Sequence, residues 1–308
     1  SNNSASVFSL ATAPVAKADG PVAPTGLAEV SKTDTTITVT KNATWEYSKD
    51  NGGTWQESNV FTGLTANTTY DQIVARIKAT ETHEASAKSA AISVTTAKAM
   101  VDEALKAKLK AALIPYNRTY DAASHNALEI GTMPTGWTAT YSDAEAGTYN
   151  ATAPTVKNVA DSKTVWVKFS NHDYGDVTTS YNVKVSKADL TVTAKPNKIT
   201  YGDAPANAGV TYTGFAAGED VTKLNVSGLS YEYNYAMFGN VGSYKITPKG
   251  VTADNYKITF TPGDLTVEQK EVGLTWTNDT GRKFNDGKAV TATATDLVNG
   301  DTVTVKVD

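Results

Sequence analysis

Between Ala188 and Lys270 the chain closes on a near-copy of the stretch with which it opens. Ala188-Asp189-Leu190-Thr191-Val192 leads in and Gly263-Asp264-Leu265-Thr266-Val267 leads out. Self-similarity of this kind marks modules joined strand to strand, and it narrows the fold before any single residue is considered. It also argues against an enzyme.

The landmarks recur upstream. Thr119-Tyr120-Asp121 matches Thr200-Tyr201-Gly202-Asp203, Gly147-Thr148-Tyr149 matches Gly242-Ser243-Tyr244, and Asp173-Tyr174 matches Asn255-Tyr256. The middle spacing is the longest, which predicts an insertion in the later copy around 214–240, of the sort that maps to exposed loops. After Val272 the pattern starts again, with Phe284-Asn285-Asp286-Gly287 where the Tyr-Gly turn should fall.

At 308 residues, the chain accommodates several such units. Tyr outnumbers Trp and Phe, and Thr alternates with apolar residues, which is strand chemistry on half-buried sheets. A formal charge of −4 leaves no basic stripe for phosphates, so nucleic acid is not an expected partner. Cysteine is absent, so each unit must stand on packing without disulfides or Cys-ligated zinc. No apolar run approaches the roughly 20 residues that span a bilayer. The Ala/Ser/Pro-rich start, residues 1–21, reads as a flexible segment of an exported protein.

Residues 22–97 alternate as short strands with turn punctuation. Phe61 to Ala79 resembles the closing half of a fibronectin type III domain, with Leu64 and Tyr70 as core positions flanking a loop. That resemblance implies a two-sheet sandwich with the tyrosine body buried and its hydroxyl on a backbone partner. Residues 98–113 are rich in helix formers, place Val101, Ala104, Leu105, Lys108 and Leu109 on one face, and stop before Pro115. They predict a helical connector.

Leu190-Thr191-Val192, Tyr201-Gly202-Asp203-Ala204-Pro205, Tyr212-Thr213-Gly214-Phe215, Val241-Gly242-Ser243-Tyr244, Asn255-Tyr256 and Leu265-Thr266-Val267 together resemble the MBG domain of the YGx type, a repeat of bacterial surface and secreted adhesin-like proteins. Residues 114–188 and 270–308 resemble the neighbouring YDG variety. The resemblance implies extracellular β modules and no particular ligand. Independently of it, Gly202 permits a positive φ after the first strand, and Tyr201, Tyr244 and Tyr256 read as core rings with hydrogen-bonded hydroxyls. Two architectures fit the unit, a two-sheet sandwich or a β-grasp-like sheet with a short helix near 219–224.

Ser48-Lys49-Asp50-Asn51-Gly52-Gly53-Thr54-Trp55 matches an Asp-box, a hairpin in which Asp holds the turn amides and Trp plugs the core beneath. Such a hairpin is structural, and one copy does not make a propeller. His83, His125 and His172 lack metal-ligand spacing and read as loop residues. Asp143 with Glu145, or Asp203 with Asp220, are the carboxylates a calcium ion would need, without a 12-residue calcium loop to hold it. Trp55, Trp137, Trp166 and Trp276 are candidates for stacking on sugar rings. Trp166 is the foremost ligand-contact candidate, because alternation sets it with Thr164 and Lys168 opposite Val165, Val167 and Phe169.

These observations predict a mainly β chain of tandem sandwich and MBG-type modules. The expected divisions are a flexible segment 1–21, a fibronectin III-like module 22–97, a helical connector 98–113, an MBG/YDG-like module 114–188, a YGx-type module 189–269, and the truncated start of another at 270–308. The expected role is a non-enzymatic stalk or adhesion segment at a bacterial cell surface, monomeric, without cofactor, metal or membrane insertion, whose partners are surface proteins or glycans. A carbohydrate-binding accessory region of a secreted glycan-active enzyme is the alternative.

Overall fold

The computed structural model describes residues 15–277, 280–281, 283 and 287–306. Phe284, Asn285 and Asp286 of the last expected turn, and residues 1–14 of the expected flexible segment, lie outside them. The chain is mainly β with one short α-helix. It divides into two compact units. One holds the chain up to Ile114 with Ile130–Thr152 and Trp166–Ser180; the other holds Pro115–Glu129, Ala153–Val165 and the chain from Tyr181.

In the first unit, β1 (Glu29–Lys32), β2 (Ile37–Val39) and β4 (Val60–Phe61) form one sheet, and β3 (Trp45–Ser48), β5 (Thr69–Ile77) and β6 (Ile92–Thr95) form a second. Ile37, Val39, Tyr47, Phe61, Leu64, Ile73 and Val94 make one buried cluster. Burial of each such side chain contributes about 1.5–3 kcal/mol. Tyr70 packs against this cluster while its hydroxyl accepts the Thr65 N–H at 3.0 Å, as the fibronectin resemblance implies. Ahead of the first sheet, Ala18 exchanges backbone hydrogen bonds with Thr82 and Glu84, both at 2.9 Å.

The helix α1 spans Glu103–Ala111, shorter than the 98–113 expected. Asp102 starts it by accepting the Leu105 N–H at 2.7 Å. Upstream, the backbone of Ala99 is taken by Asp173 and Gly175, so residues there stay extended. Leu109 is the buried member of the apolar stripe, and Ala104 and Lys108 are exposed. The chain continues through β7 (Leu113–Pro115), β8 (Asn117–Thr119), β9 (His125–Asn126), β10 (Leu128–Ile130), β11 (Thr138–Ser142), β12 (Thr155–Val156), β13 (Lys163–Ser170) and β14 (Val177–Ser186). In the first unit β11 runs antiparallel to residues 166–170 of β13. In the second, β8 runs parallel to residues 184–186 of β14, and β9 pairs with β12.

The rest of the second unit is built on β15 (Ala188–Ala194), β16 (Asn197–Thr200), β17 (Val210–Thr213), β18 (Ser230–Tyr233), β19 (Gly242–Lys249), β20 (Tyr256–Thr261) and β21 (Gly263–Glu268). One sheet runs β17-β15-β20 and the other β16-β21-β19-β18. This is the two-sheet alternative; the stretch near 219–224 supplies only a 3-10 turn at Val221–Lys223. The opening strand changes sheet between Ala194 and Asn197, and the closing strand does so at Pro262, where the missing N–H makes a ladder break tolerable. Opening and closing strands run parallel in both sheets, with Leu190 opposite Ile258 and Asn197 opposite Leu265. The recurrent Asp-Leu-Thr-Val therefore occupies two different sheets, burying Leu190 and Val192 in one and Leu265 and Val267 in the other.

Most of residues 214–240 are exposed, as expected of the insertion, but it lies in loops only in part. It supplies β18, antiparallel to β19, and the buried Tyr235, because Ser230-Tyr231-Glu232-Tyr233 alternates as an edge strand does. Gly202 has φ +97°, as the turn requires. Beyond β21, β22 (Gly273–Thr277) and β23 (Thr291–Thr295) form a two-stranded antiparallel sheet.

Candidate functional site

Trp166 lies on β13 opposite Ser142 of β11, half-buried, while Val165, Val167 and Phe169 are fully buried on the reverse face. The alternation places the indole outward together with Lys168. That ammonium sits 4.6 Å from the centre of the Tyr149 ring, and Thr140 stands opposite Lys168 on the neighbouring strand. The indole and the cation on β13, with the Tyr149 phenol of the segment after β11 beneath that cation, form a polar-aromatic surface suited to planar contact with a sugar face or an extended peptide.

The other tryptophans differ. Trp137 is not an exposed aromatic, as expected from sequence, but 7% exposed, with its ring 5.7 Å from that of Tyr174. Trp55 is capped by the Arg76 guanidinium at 4.2 Å, and Arg76 is held in turn by Glu46 at 2.6 Å. Trp276 is 44% exposed. The Asp-box works as a hairpin clamp. Asp50 accepts from the Ser48 hydroxyl at 2.6 Å, from the Thr54 N–H at 2.8 Å and from the Thr54 hydroxyl at 2.7 Å. These bonds, led by that from Ser48, hold its carboxyl down to a pKa of about 2.

Of the histidines, His83 and His172 are exposed and His172 lies in a loop, while His125 sits on β9. His125 stacks on Tyr116 at 4.6 Å and contacts Asp121 at 2.9 Å. His172 contacts Asp173 at 2.6 Å, and its carbonyl accepts from the Asn67 side chain at 2.9 Å. Beside it Lys98 donates to the Asn171 carbonyl at 3.0 Å, so the segment that follows β6 is tied to the loop between β13 and β14. Asp203 and Asp220 are spent on local turns, accepting the N–H groups of Thr200 and Thr222 at 2.9 Å each. Among the described residues no three carboxylates or histidines converge on a metal position.

A second joint lies in the other unit, around Glu219. Tyr120 donates its phenol to one carboxylate oxygen at 2.5 Å, and Tyr256 donates to the other. The Tyr256 oxygen also accepts the Ala216 N–H at 2.9 Å, and its ring stands edge-on to Tyr120 at 5.6 Å and to Phe215 at 5.8 Å. Next to them Asn255 accepts the Val159 N–H and donates to Asn158, both at 2.9 Å. Burial first, then the bond to Glu219, pushes the Tyr120 phenol up to about 12. Burial works to raise Glu219, but the two phenols and the charges of Lys223 and Lys157 outweigh it and leave the carboxyl below its ordinary value. Neither Glu219 nor its pairing with Tyr120 was legible in the sequence, because the partners are 99 residues apart. The matched landmarks at Tyr120 and at Asn255-Tyr256 were the signal that pointed towards it.

Residues 190–266 match the family of the MBG domain, YGX type. No curated protein matches the chain. Among solved structures it is similar to the N-terminal four Ig domains of Dscam1 isoform 6.9, at 11% identity over 80% of this chain and 73% of that one, TM-score 0.25. It is also similar to the FN1–FN3 domains of chicken CNTN1, at 12% identity over 81% and 99% of the two chains, TM-score 0.19. No helix among the described residues is long and apolar enough to cross a membrane.

Proposed function

We propose that the chain is a non-enzymatic stalk or adhesion segment of a bacterial cell-surface or secreted protein, acting outside the cell as a monomer. Its working parts are the modules 22–97, 114–188 and 189–269, a connector at 98–113, a leading segment 1–21 and a further module begun at 270–308. The observation that carries this reading is the Glu219 joint. A carboxylate shared by two phenols, with Asn255 bridging to Asn158 and Val159, joins consecutive repeats through directional hydrogen bonds, and charge-assisted bonds of this type are about twice as strong as neutral ones. Small units joined so transmit position and load, which is what a stalk requires.

The contact surface in this reading is the outward face at Trp166, and the partners are proteins or glycans of host or neighbouring cells. Beads coated with the chain test it. Retention on cell monolayers under flow, reduced severalfold by Trp166→Ala, is the expected result; retention equal to that of uncoated beads would overturn it. The indole on one face of β13 with Lys168, whose ammonium lies over the Tyr149 ring, also favours a second reading, a carbohydrate-binding accessory region of a glycan-active enzyme. Specific glycan-array binding lost in Trp166→Ala, without cell adhesion, would select that reading.

A further inference from the structure

The two sheets built from β15 to β21 differ in their outward faces. On β16, β21, β19 and β18 the outward positions carry charges of both signs, and these are paired, Lys198 with Glu268, Lys245 with Asp264 and Lys249 with Glu232. On β17, β15 and β20 they are threonines. Thr213, Thr191 and Thr259 stand side by side in one row and Thr211, Thr193 and Thr261 in the next, while Leu190, Val192 and Ala194 of the central strand are buried on the reverse face.

Register partners share a face, so the threonines form an array that repeats at about 4.8 Å across the strands and about 6.7 Å along them. Asp189 opposite Lys257 bounds it at one end. Thr211, Thr213, Thr259 and Thr261 are exposed, and Thr191 and Thr193 are half-buried. The Thr211 hydroxyl donates to the Thr193 carbonyl at 3.4 Å; among the described residues the hydroxyls of the other threonines in the array make no hydrogen bond.

The following repeat keeps the threonines and changes what lies behind them. Leu274-Thr275-Trp276-Thr277 follows Leu190-Thr191-Val192-Thr193, and Val290-Thr291-Ala292-Thr293 follows Val210-Thr211-Tyr212-Thr213. Thr275 stands opposite Thr293 and Thr277 opposite Thr291, as Thr191 does opposite Thr213 and Thr193 opposite Thr211. Behind them Trp276 takes the place of Val192 and Ala292 that of Tyr212. Inward packing therefore does not dictate the outward residue, and strand propensity would accept valine, isoleucine or an aromatic there equally well.

We propose that the threonine face of β17, β15 and β20 binds the surface of ice. A ligand with a single recognition group has no use for a row of equivalent sites; a solid whose own groups repeat in two dimensions does. Each threonine offers a hydroxyl that both donates and accepts, beside a methyl held stiffly at χ1. The hydroxyls take the places of lattice waters, and the methyls withdraw apolar surface from the liquid. Within the rows there is no ring to stack on a sugar and no charge to meet a mineral ion. This face is distinct from that of Trp166, and either assignment can fail without the other.

The test is ice growth in the presence of the full chain, followed as thermal hysteresis by nanolitre cryoscopy and as recrystallisation at a fixed subzero temperature. Faceted crystals and slowed recrystallisation are expected, compared with serum albumin at equal mass. Thr213→Lys combined with Thr259→Lys, both at exposed positions, should reduce each effect at least severalfold in a chain whose circular dichroism is unchanged. Thr213→Val with Thr259→Val keeps the methyls and should lose less. Lys245→Ala, on the other sheet, should leave both effects intact. Ice growth indistinguishable from that in albumin overturns the proposal. So does an effect that survives the paired lysines, or one lost equally in Lys245→Ala. Sedimentation of the chain with crystalline cellulose or chitin, abolished by the paired lysines and without any effect on ice, would assign the face to a polysaccharide and overturn it as well.

Discussion

β15 with β17 and β22 with β23 carry one alternation of Thr against apolar residues, yet Leu190 and Val192 are buried while Leu274 and Trp276 stand exposed. The difference lies in their neighbours. β15 has β20 on its second edge and the β16-β21-β19-β18 sheet in the same unit to pack against; among the described residues β22 pairs with β23 alone. Amphipathic alternation prepares a strand for burial, but a second layer has to accept its apolar face. The same holds for the paired tyrosines. Tyr120 meets a carboxylate already engaged by Tyr256, whereas Tyr201 meets Asp301 across an open concavity, and that hydrogen bond, then partial burial, raises its phenol.

The sharpest way to break this comparison is truncation of matching leucines. Leu190→Ala should cost about 2–5 kcal/mol in urea unfolding because it leaves a cavity, and Leu274→Ala less than about 1 kcal/mol. Equal costs would show that the last sheet is covered in solution. Next, Tyr256→Phe removes the phenol from Glu219 and from the Ala216 N–H, which predicts a loss of about 1–3 kcal/mol. Tyr201→Phe should lose less than Tyr256→Phe by the same assay, since its bond lies at an open surface.

Alkaline titration separates the two joints further. The Tyr120 phenol is raised, so its stabilising effect is complete below its ordinary value of 10 and is lost as pH climbs towards about 12. Circular dichroism should show an unfolding step in that window, displaced upward in Tyr120→Phe. The acid side has the opposite sign. Glu219 and Asp50 are lowered, so their contributions are full above their ordinary values, 4.5 and 3.8, and are lost as pH falls below them, for Asp50 towards about 2. Glu219→Gln should flatten the acid limb near the joint, seen as slower loss of the Val159 amide signal by NMR. The smallest effect is expected at the indoles: iodide should quench Trp276 more than Trp166, and Trp137 least.

Much of this was legible locally. The Asp-box bonds follow from residues within four positions of Asp50, and the outward placement of Trp166 follows from strand period alone. Gly202 announced its positive φ. What was not legible depends on distant chain. Trp137 is buried because Tyr174 meets it, β18 exists because β19 offers an edge, and Glu219 matters because Tyr120 and Tyr256 converge on it.

The amino-acid sequence by itself determined that the chain is a series of small β units without cysteine, which residues of each strand share a face, and where the turns fall, since these depend on neighbours within a few positions. Tertiary structure alone decided which of the like strands are buried, which sheet each copy of Asp-Leu-Thr-Val enters, and which acidic turn receives a tyrosine. Those outcomes depend on contacts between residues tens of positions apart, and two stretches of similar sequence meet them with different partners.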